Sequence, residues 1–325
     1  MEIGIAEIEK AARRLEGFAV HTPVLESPML NGRTGGRILV KAECLQRTGS
    51  FKFRGAWNCI SQLDPAAAKG GVVAYSSGNH AQGVAAAAQI KGLQAAIVMP
   101  SDTPEIKKAN TRSYGAEVIT YDRARESREE IAARLTEQRG AVLVPPFEHE
   151  HVIAGQGTAG LELADEAARR GAQLDEVLVC CSGGGLTAGI ALAMEARSPA
   201  TKVHSVEPEA FDDYARSLRS GVRERNKEAA GSICDALLTQ QPGAMTFAIN
   251  RSRLAEGLTV SDAEVRDAMR YAFGVLKIVL EPGGAVALAA VLAGKIASKG
   301  RTIGVIASGG NVDAAMFAKM LNGQV

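Results

Sequence analysis

The sequence lacks an excess of either charge and has no long hydrophobic run. Its 325 residues carry 37 lysines and arginines against 36 aspartates and glutamates, a formal net charge of +1. Without a basic excess there is no electrostatic footprint for nucleic acid or for an anionic membrane surface. The longest apolar stretch, residues 283–294, is too short to span a bilayer and predicts a buried helix. We therefore expect a protein that binds neither nucleic acid nor membrane.

Cysteine is also scarce, and its spacing excludes two further classes of protein. The five cysteines are odd in number, include the adjacent pair Cys180 and Cys181, and form no Cys-x-x-Cys pair. A disulfide framework and a zinc site are therefore not expected. The first ten residues contain several acids and no apolar core, unlike a signal peptide. These features predict a reducing, cytoplasmic location.

What the sequence does have is a regular alternation of β-branched runs and helical patterns, long enough for two domains. Helices are predicted near the N terminus, after residue 283, at the C terminus, and at 82–90, 104–114, 127–138, 157–169, 186–196 and 262–276. Strands are predicted at 37–41, 71–75, 95–99, 118–121, 140–144, 176–179, 202–206 and 302–307, with a charged loop at 211–229. Apolar runs without alternation favour parallel sheets covered on both faces. The predicted fold class is α/β, with two open, mostly parallel sheets flanked by helices and a cleft between them.

One lysine has unusual neighbours. Lys52 lies between Phe51 and Phe53, next to Arg54, just ahead of a helical run. Desolvation by the apolar neighbours and the like charge of Arg54 would both oppose protonation of its amine. A neutral amine can form a Schiff base with an aldehyde cofactor. The alternative is an ordinary solvated lysine at a helix start.

Polar, glycine-containing turns follow strands at residues 76–80, 182–185 and 308–311. Ligands bind at the carboxyl ends of strands in open α/β sheets. The first turn (the carboxylate turn, residues 76–80) offers hydroxyls and free N–H groups at a helix start, which suit a carboxylate. The second (the glycine turn, residues 182–185) lets the backbone wrap a phosphate. Each of them taken alone also fits a tight turn with a capping serine.

The glycine turn matches neither the dinucleotide fingerprint nor the P-loop. The phosphate is therefore expected to belong to something smaller than a nucleotide. Pyridoxal 5′-phosphate fits, because it combines one phosphate with one aldehyde for a lysine.

Taken together and in order, these motifs resemble the fold-type II pyridoxal-phosphate enzymes, most closely the threonine/serine dehydratase and serine racemase group. The likeness runs from about Ile8 to the C terminus and includes residues 153–158 and 281–284. It implies a large cofactor domain of residues 1–70 and 149–325 and a small domain of residues 71–148 that carries the carboxylate turn. By analogy it also implies a homodimer.

The resemblance assigns roles to individual residues. Lys52 would carry the Schiff base and remove the α-proton, and Ser77 would be the acid or base on the opposite face. The cofactor contacts would be Phe51, Lys52, Asn79, Ser182, Gly183, Gly184, Gly185, Leu186 and Ser308. The substrate contacts would be Ser76, Ser77, Gly78, Asn79, His80 and Arg128.

The same resemblance suggests a structural divalent cation. Glu207, the Phe211 carbonyl and Asp213 would be its ligands, and such oxygens suit Mg²⁺ or Ca²⁺. A solvated acidic loop is the alternative.

The implied reaction is β-elimination, which dehydrates serine or threonine to a 2-oxo acid and ammonia. Dehydration of 3-hydroxyaspartate and racemisation of serine are the alternatives, and Arg128 would suit a substrate with a second carboxylate. The alternative from a different class is a non-catalytic amino-acid-binding module, in which Lys52 would take no part in a reaction.

Overall fold

The computed structural model describes residues 3–64, 66, 68–103, 105–228 and 230–324, and their strands form two sheets. The larger sheet has six strands in the order β1–β2–β10–β7–β8–β9. They are β1 (Val24–Leu25), β2 (Arg37–Lys41), β7 (Glu176–Cys180), β8 (Lys202–Pro208), β9 (Leu254–Val260) and β10 (Thr302–Ile306). The β1–β2 pair is antiparallel and the other pairs are parallel.

The smaller sheet has four parallel strands in the order β5–β4–β3–β6. They are β3 (Val72–Tyr75), β4 (Ala95–Pro100), β5 (Glu117–Tyr121) and β6 (Val142–Leu143). The prediction of an α/β fold with two mostly parallel sheets is confirmed.

Helices separate most of the strands. They are α1 (Ile5–Leu15), α2 (Pro28–Thr34), α3 (Lys52–Ile60), α4 (Asn79–Lys91), α5 (Glu105–Ser113), α6 (Arg128–Arg139), α7 (Glu150–Arg169), α8 (Gly185–Arg197), α9 (Asp213–Ser220), α10 (Ala244–Asn250), α11 (Asp262–Tyr271), α12 (Pro282–Leu292) and α13 (Ala314–Leu321). A π-helical turn, Ala272–Leu276, continues α11. Of the predicted helix 104–114, Pro104 lies outside the described residues.

The core follows from the apolar runs that predicted the strands. Strand β7 is buried at all its positions, and β2 and β10 at all but their first. Helix α12 is buried from Pro282 to Val291, as expected for an apolar helix packed between other elements. Among the described residues no helix is both long and apolar enough to cross a membrane.

The sequence-based prediction placed the start of α7 seven residues too late. Its first turns contain Gly155 and Gly157, which have poor helix propensity. The structure shows why they are there. A Cβ on Gly155 would lie 2.6 Å from the Arg54 carbonyl oxygen, so this glycine lets α7 pack tightly against α3.

The sequence-based prediction missed five elements: β1, α2, α9, α10 and β9. Two of them illustrate the reason. Strand β9 lies at the edge of the large sheet with its first half largely exposed, so it lacks the continuous apolar run that marks the inner strands. Helix α9 lies inside the predicted loop 211–229, of which residue 229 is outside the described residues. Its first N–H groups are held by a buried carboxylate, since Glu207 accepts from Tyr214 N at 2.9 Å and from Ala215 N at 2.7 Å. This cap comes from the end of β8, seven and eight residues before the two amides, and not from the N-cap position itself, so it leaves no N-cap signature in the sequence.

Candidate active site

A cavity of about 330 Å³ lies between the two sheets, at the carboxyl ends of β3, β7 and β10. It is lined by all the residues to which the sequence assigned cofactor or substrate contacts. They are Phe51, Lys52, Ser76, Ser77, Gly78, Asn79, His80, Arg128, Ser182, Gly183, Gly184, Gly185, Leu186 and Ser308. The fold therefore brings segments more than 200 residues apart into one site.

Lys52 is the first residue of α3, and its amine lies at the cavity wall. Nζ donates to the Pro146 carbonyl oxygen at 2.9 Å and lies 5.3 Å from the centroid of the Phe51 ring. Burial lowers the pKa of Lys52 to about 8, against the opposing effects of Cys180 and Glu281. An appreciable fraction of the amine is therefore neutral near physiological pH, as a Schiff-base lysine requires.

The expected like-charge effect of Arg54 on Lys52 is wrong. The Arg54 side chain is buried and points away, with Nε 2.7 Å from Glu43 Oε2 and Nη1 2.6 Å from Glu162 Oε1. Lys41 Nζ binds the other Glu162 oxygen at 2.5 Å. This ion network joins α3 to β2 and α7, so Arg54 fixes the helix that carries Lys52 instead of tuning its charge.

The backbone of the glycine turn packs so closely against its neighbours that there is no room for a side chain at Gly183 or Gly184. A Cβ on Gly183 would lie 2.4 Å from the Phe147 ring. Gly184 has φ +91°, and a Cβ there would lie 2.3 Å from the Tyr214 hydroxyl. Helix α8 begins directly after, and Ala188 N is the first amide to bond back, to Gly184 O at 2.8 Å. The preceding amides of α8 are thus available to an anion at the cavity, and the residues fit a phosphate.

The carboxylate turn leads into α4, which starts at Asn79. The Gly78 amide donates to Ser76 Oγ at 3.2 Å. His80 Nε2 lies 2.8 Å from the Val144 carbonyl oxygen, and burial together with the Lys52 charge lowers the pKa of His80 to about 3. His80 is therefore neutral at pH 7, which suits a residue that anchors the turn and not one that gains a proton.

Glu281 also lies at this cavity, and the sequence had given it no role. The carboxyl group accepts from Asn79 Nδ2 at 2.5 Å, and Asn79 Oδ1 accepts from Asn311 Nδ2 at 2.7 Å. Burial, followed by the Asp235 charge, raises the pKa of Glu281 to about 7. An acid before Pro282 is typical of a helix start, so the sequence held no signal for a site residue.

Ser308 closes the far side of the cavity, at the carboxyl end of β10. Its Oγ accepts from Cys180 Sγ at 3.1 Å, and its carbonyl accepts from Phe51 N at 3.1 Å. Ser50 and Gly309 form a further backbone bridge. These contacts fix the Lys52 segment to the last strand of the large sheet.

Three cations line the side of the cavity formed by the smaller sheet. Arg128 pairs with Glu129 at 2.8 Å, and its guanidinium carbon lies 5.2 Å from the Tyr75 ring centroid. Lys107 and Arg123 line the cavity as well. Sequence reasoning missed both, because single charges in polar segments look like solvated surface residues.

The predicted metal ligands lie apart from this cavity, at the end of β8. Glu207 uses both carboxylate oxygens to cap α9, and Asp213 Oδ1 accepts from Asn226 Nδ2 at 2.6 Å. Asp213 Oδ2 is buried with no partner among the described residues. Burial raises the pKa of Asp213 to about 7. The described part of the chain contains no cluster of three or more His, Cys, Asp or Glu residues suited to a metal, whereas the predicted set uses two carboxylates and a carbonyl.

A buried lysine with a lowered pKa and a glycine turn at a helix start, lining one cavity in a two-sheet α/β fold, define an enzyme that binds a phosphate-bearing aldehyde cofactor. Residues 15–309 match the model of the family described as pyridoxal-phosphate dependent enzyme. The chain belongs to this family.

Relatives with assigned activities are similar over almost their whole length. The L-threo-3-hydroxyaspartate ammonia-lyase of Pseudomonas sp is 47% identical over 98% of both chains, and the serine racemase of Schizosaccharomyces pombe is 43% identical over 97% of this chain and 96% of its own. The crystal structure of the T.th. threonine deaminase is 46% identical, with a TM-score of 0.90 over 95% of this chain and 99% of its own. The maize serine racemase structure is 36% identical, with a TM-score of 0.91 over 100% of both.

Proposed function

We propose that this chain removes water from a 3-hydroxy amino acid of the serine/threonine type and releases a 2-oxo acid and ammonia. The observation that carries this proposal is the single cavity that joins Lys52, the glycine turn and the carboxylate turn. The relatives named ammonia-lyase and threonine deaminase support it.

Pyridoxal phosphate, when bound, would supply the aldehyde for Lys52 and a ring that accepts electrons from the substrate. Backbone amides of the glycine turn and of Leu186 would hold its phosphate. Asn79 would donate to the ring hydroxyl oxygen and Ser308 would meet the ring nitrogen, while Phe51 would lie against the ring.

The chain's own groups would then do the proton chemistry. The amides at the start of α4, with the Ser76 and Ser77 hydroxyls, would hold the α-carboxylate. The neutral Lys52 amine would take the α-proton, for which a pKa of about 8 is well placed. The departing hydroxyl needs a proton, and Ser77 would be the donor on the opposite face.

The deciding experiment combines chemical labelling with turnover. The cofactor-loaded protein would be reduced with borohydride and its peptides mapped, and oxo-acid and ammonia release would be measured on L- and D-serine, threonine and 3-hydroxyaspartate isomers. We expect the label on Lys52 and turnover of at least one L-isomer. Lys52→Ala should lose turnover by orders of magnitude, and Lys108→Ala, a change on α5 outside the cavity lining, should not. A label elsewhere, or turnover that survives without Lys52, would refute the proposal and favour the binding module.

Racemisation of serine is the second candidate, favoured by the racemase relatives and by Ser77 at the cavity wall. A racemase needs a second proton carrier on the opposite face. If Ser77 fills this role, Ser77→Ala should abolish exchange between L- and D-serine while some elimination persists. Loss of both activities in parallel would rule out a role of Ser77 specific to racemisation and leave it as the proton donor of the elimination or as a substrate ligand.

The predicted domain division is supported by strand membership. All strands of the six-stranded sheet fall within residues 1–70 and 149–325, and all strands of the four-stranded sheet within 71–148. The substrate cavity would therefore lie between two domains. A cytoplasmic location stays a prediction, supported by five cysteines that are all buried and free.

A homodimer is proposed from exposed apolar side chains near the C terminus. Phe273 is 47% exposed and Met316 41%, and the Phe273 ring packs edge-on against Phe317 at 5.5 Å between centroids. A second copy of the chain would cover this face. Light scattering should give twice the monomer mass, and Phe273→Glu should lower it, whereas Val222→Glu at an exposed loop should not. A wild-type monomer would refute the proposal.

A divalent cation bound by Glu207, the Phe211 carbonyl and Asp213 is proposed from one unsatisfied atom. Asp213 Oδ2 is buried without a partner in the described structure, and a hard cation such as Mg²⁺ or Ca²⁺ would satisfy it. The cation should raise the melting temperature of the protein, and a chelator should reverse the effect. Asp213→Asn should remove this response. A melting temperature insensitive to both cations would refute the site.

A further inference from the structure

The Lys107 ammonium on α5 is paired with the carboxylate of Asp235, which belongs to the segment opposite α5 across the cavity. Both residues line the cavity, and the Lys107 side chain is 15% exposed against 51% for Asp235. The aliphatic end of Lys107 lies over the carboxylate turn, with Cδ 4.0 Å from where a Gly78 Cβ would be.

Lys107 differs from the other two cations on this wall. The partner of Arg123 is Asp102 and that of Arg128 is Glu129, and all four of these side chains are at least 43% exposed. Exposed ion pairs of this kind contribute little to the stability of a protein. Only Lys107 among the three is largely buried and faces an acid from the other side of the cavity. An ammonium group has three N–H donors. In the described structure Lys107 Nζ donates to Asp235 Oδ2.

We propose that Lys107 receives the side-chain carboxylate of a dicarboxylic substrate, so that a 3-hydroxy amino acid with a second carboxylate, 3-hydroxyaspartate, is preferred over serine and threonine. This inference rests on the proposed elimination reaction. In this proposal Lys107 determines which substrate is preferred, whereas Lys52 removes the α-proton.

The geometry fits a four-carbon diacid. The α-carboxylate would bind at the carboxylate turn, and the second carboxylate, three bonds away, would meet the ammonium that lies beside Gly78. The Asp235 carboxylate takes one donor of the Lys107 ammonium, and the other donors would be free to bind the second carboxylate.

The reaction balances without a further reagent. The substrate loses its α-proton and its 3-hydroxyl as one water, and the resulting enamine takes up one water to give oxaloacetate and ammonia. No electron donor or acceptor is consumed, and the second carboxylate is unchanged in the product.

The test compares selectivity in cofactor-loaded variants. Lys107→Met removes the charge at nearly constant length, Lys107→Arg keeps it, and Lys108→Met is the control on the same helix, since Lys108 pairs with Glu105 and does not line the cavity. We expect Lys107→Met to lower kcat/KM for 3-hydroxyaspartate relative to serine roughly ten- to a hundredfold, as for loss of a hydrogen bond to a charged group. Lys107→Arg should lose less selectivity, and Lys108→Met should keep the wild-type ratio.

An inert diacid provides a second readout, and its first comparison uses the wild-type protein alone. Succinate should inhibit serine elimination by the wild-type protein at a lower concentration than butyrate, which has one carboxylate, and Lys107→Met should remove this difference. Equal losses on all substrates in Lys107→Met would overturn the inference, as would wild-type inhibition by succinate no stronger than by butyrate, while elimination of serine would still stand. If no hydroxy amino acid is turned over, the proposed function itself fails, and thermal shifts with the two acids still decide the role of Lys107.

Discussion

The side-chain amide of Asn79 donates a 2.5 Å hydrogen bond to Glu281, 202 residues further along the chain. The other end of the same amide is fixed by Asn311, whose Nδ2 also donates to the Thr48 carbonyl at 2.7 Å. An Asn side chain has two N–H donors, so one remains for a ligand in the cavity. Glu281 therefore sets the direction in which Asn79 can donate.

Removing the Glu281 carboxylate should loosen the Asn79 amide and weaken cofactor binding. We expect Glu281→Ala to raise the dissociation constant of pyridoxal phosphate roughly tenfold, as for loss of about one hydrogen bond. Titration of cofactor-free protein, followed by the absorbance of the bound cofactor, measures this. Glu281→Gln keeps an acceptor for Asn79 and should show a smaller change. Wild-type affinity in Glu281→Ala would contradict the positioning role.

The pair of Asn79 and Glu281 also shows what could be predicted from sequence. Asn79 lies in a turn whose residue types indicate a carboxylate site, and the glycine turn and Lys52 carry similar local signals. Glu281 looks like an ordinary acid at a helix start, and Lys107 like a surface lysine, because their roles arise from partners more than a hundred residues away. The direction in which the Arg54 side chain points could not be predicted from the sequence either, because its carboxylate partners, Glu43 and Glu162, belong to two other elements.

The inner strands were predictable for the same local reason, because β7 and β10 are nearly continuous apolar runs. Strand β9 and the start of α7 were not. The first is an edge strand whose face is partly exposed, and the second contains glycines that allow close helix contact. Tertiary contacts determine both strand β9 and the start of α7, and such contacts cannot be predicted from local propensity.

The lowered pKa of Lys52 predicts a pH dependence of cofactor loading. Burial lowers this pKa from its ordinary value of 10.5 to about 8, so the neutral amine becomes the major form as pH rises through 8. The rate of Schiff-base formation with cofactor-free protein should therefore be about tenfold higher at pH 9 than at pH 7. Rapid-mixing absorbance measurements would test it.

Two groups near Lys52 keep their charge in this range, whereas Glu281, with its pKa raised to about 7, ionises within it, so the same pH profile is also measured on Glu281→Gln. The pKa of His80 is lowered to about 3 and that of Cys180 is raised to about 11, so neither changes charge between pH 7 and 9. A rate that continues to rise with a midpoint near 10.5 would mean that the amine is not desolvated in the free protein.

The buried ion network around Arg54 should contribute strongly to stability. Arg54→Met would leave the Glu43 and Glu162 carboxylates buried without their main partner, at a cost of about 3–5 kcal/mol in the free energy of unfolding. Denaturant unfolding measures this cost. Arg139→Met breaks a surface pair with Glu117, 2.6 Å between Nη1 and Oε2, and should cost less than about 1 kcal/mol. Similar losses in the two variants would contradict the importance of the buried network.

The glycine turn should tolerate no side chain at Gly184. Its φ of +91° strains any other residue, and a Cβ would lie 2.3 Å from the Tyr214 hydroxyl, which accepts from Asn250 Nδ2 at 2.8 Å. Gly184→Ala must therefore displace Tyr214 or the backbone that would hold the phosphate. We expect the dissociation constant of pyridoxal phosphate to rise at least tenfold, a change of about 1.4 kcal/mol.

Gly171→Ala is the control that separates the loss of cofactor affinity in Gly184→Ala from the effect of backbone strain alone. Gly171 also has positive φ, +60°, but a Cβ there meets nothing within 4 Å. Gly171→Ala should lose about 1–2 kcal/mol of unfolding free energy, because L-residues disfavour the left-handed region. Gly184→Ala should lose more, because its methyl group also clashes with Tyr214. Only Gly184→Ala should also lose cofactor affinity, measured by the same absorbance titration. If the two variants bind pyridoxal phosphate equally well, the phosphate does not lie against the glycine turn, since a methyl group at Gly184 would then be harmless.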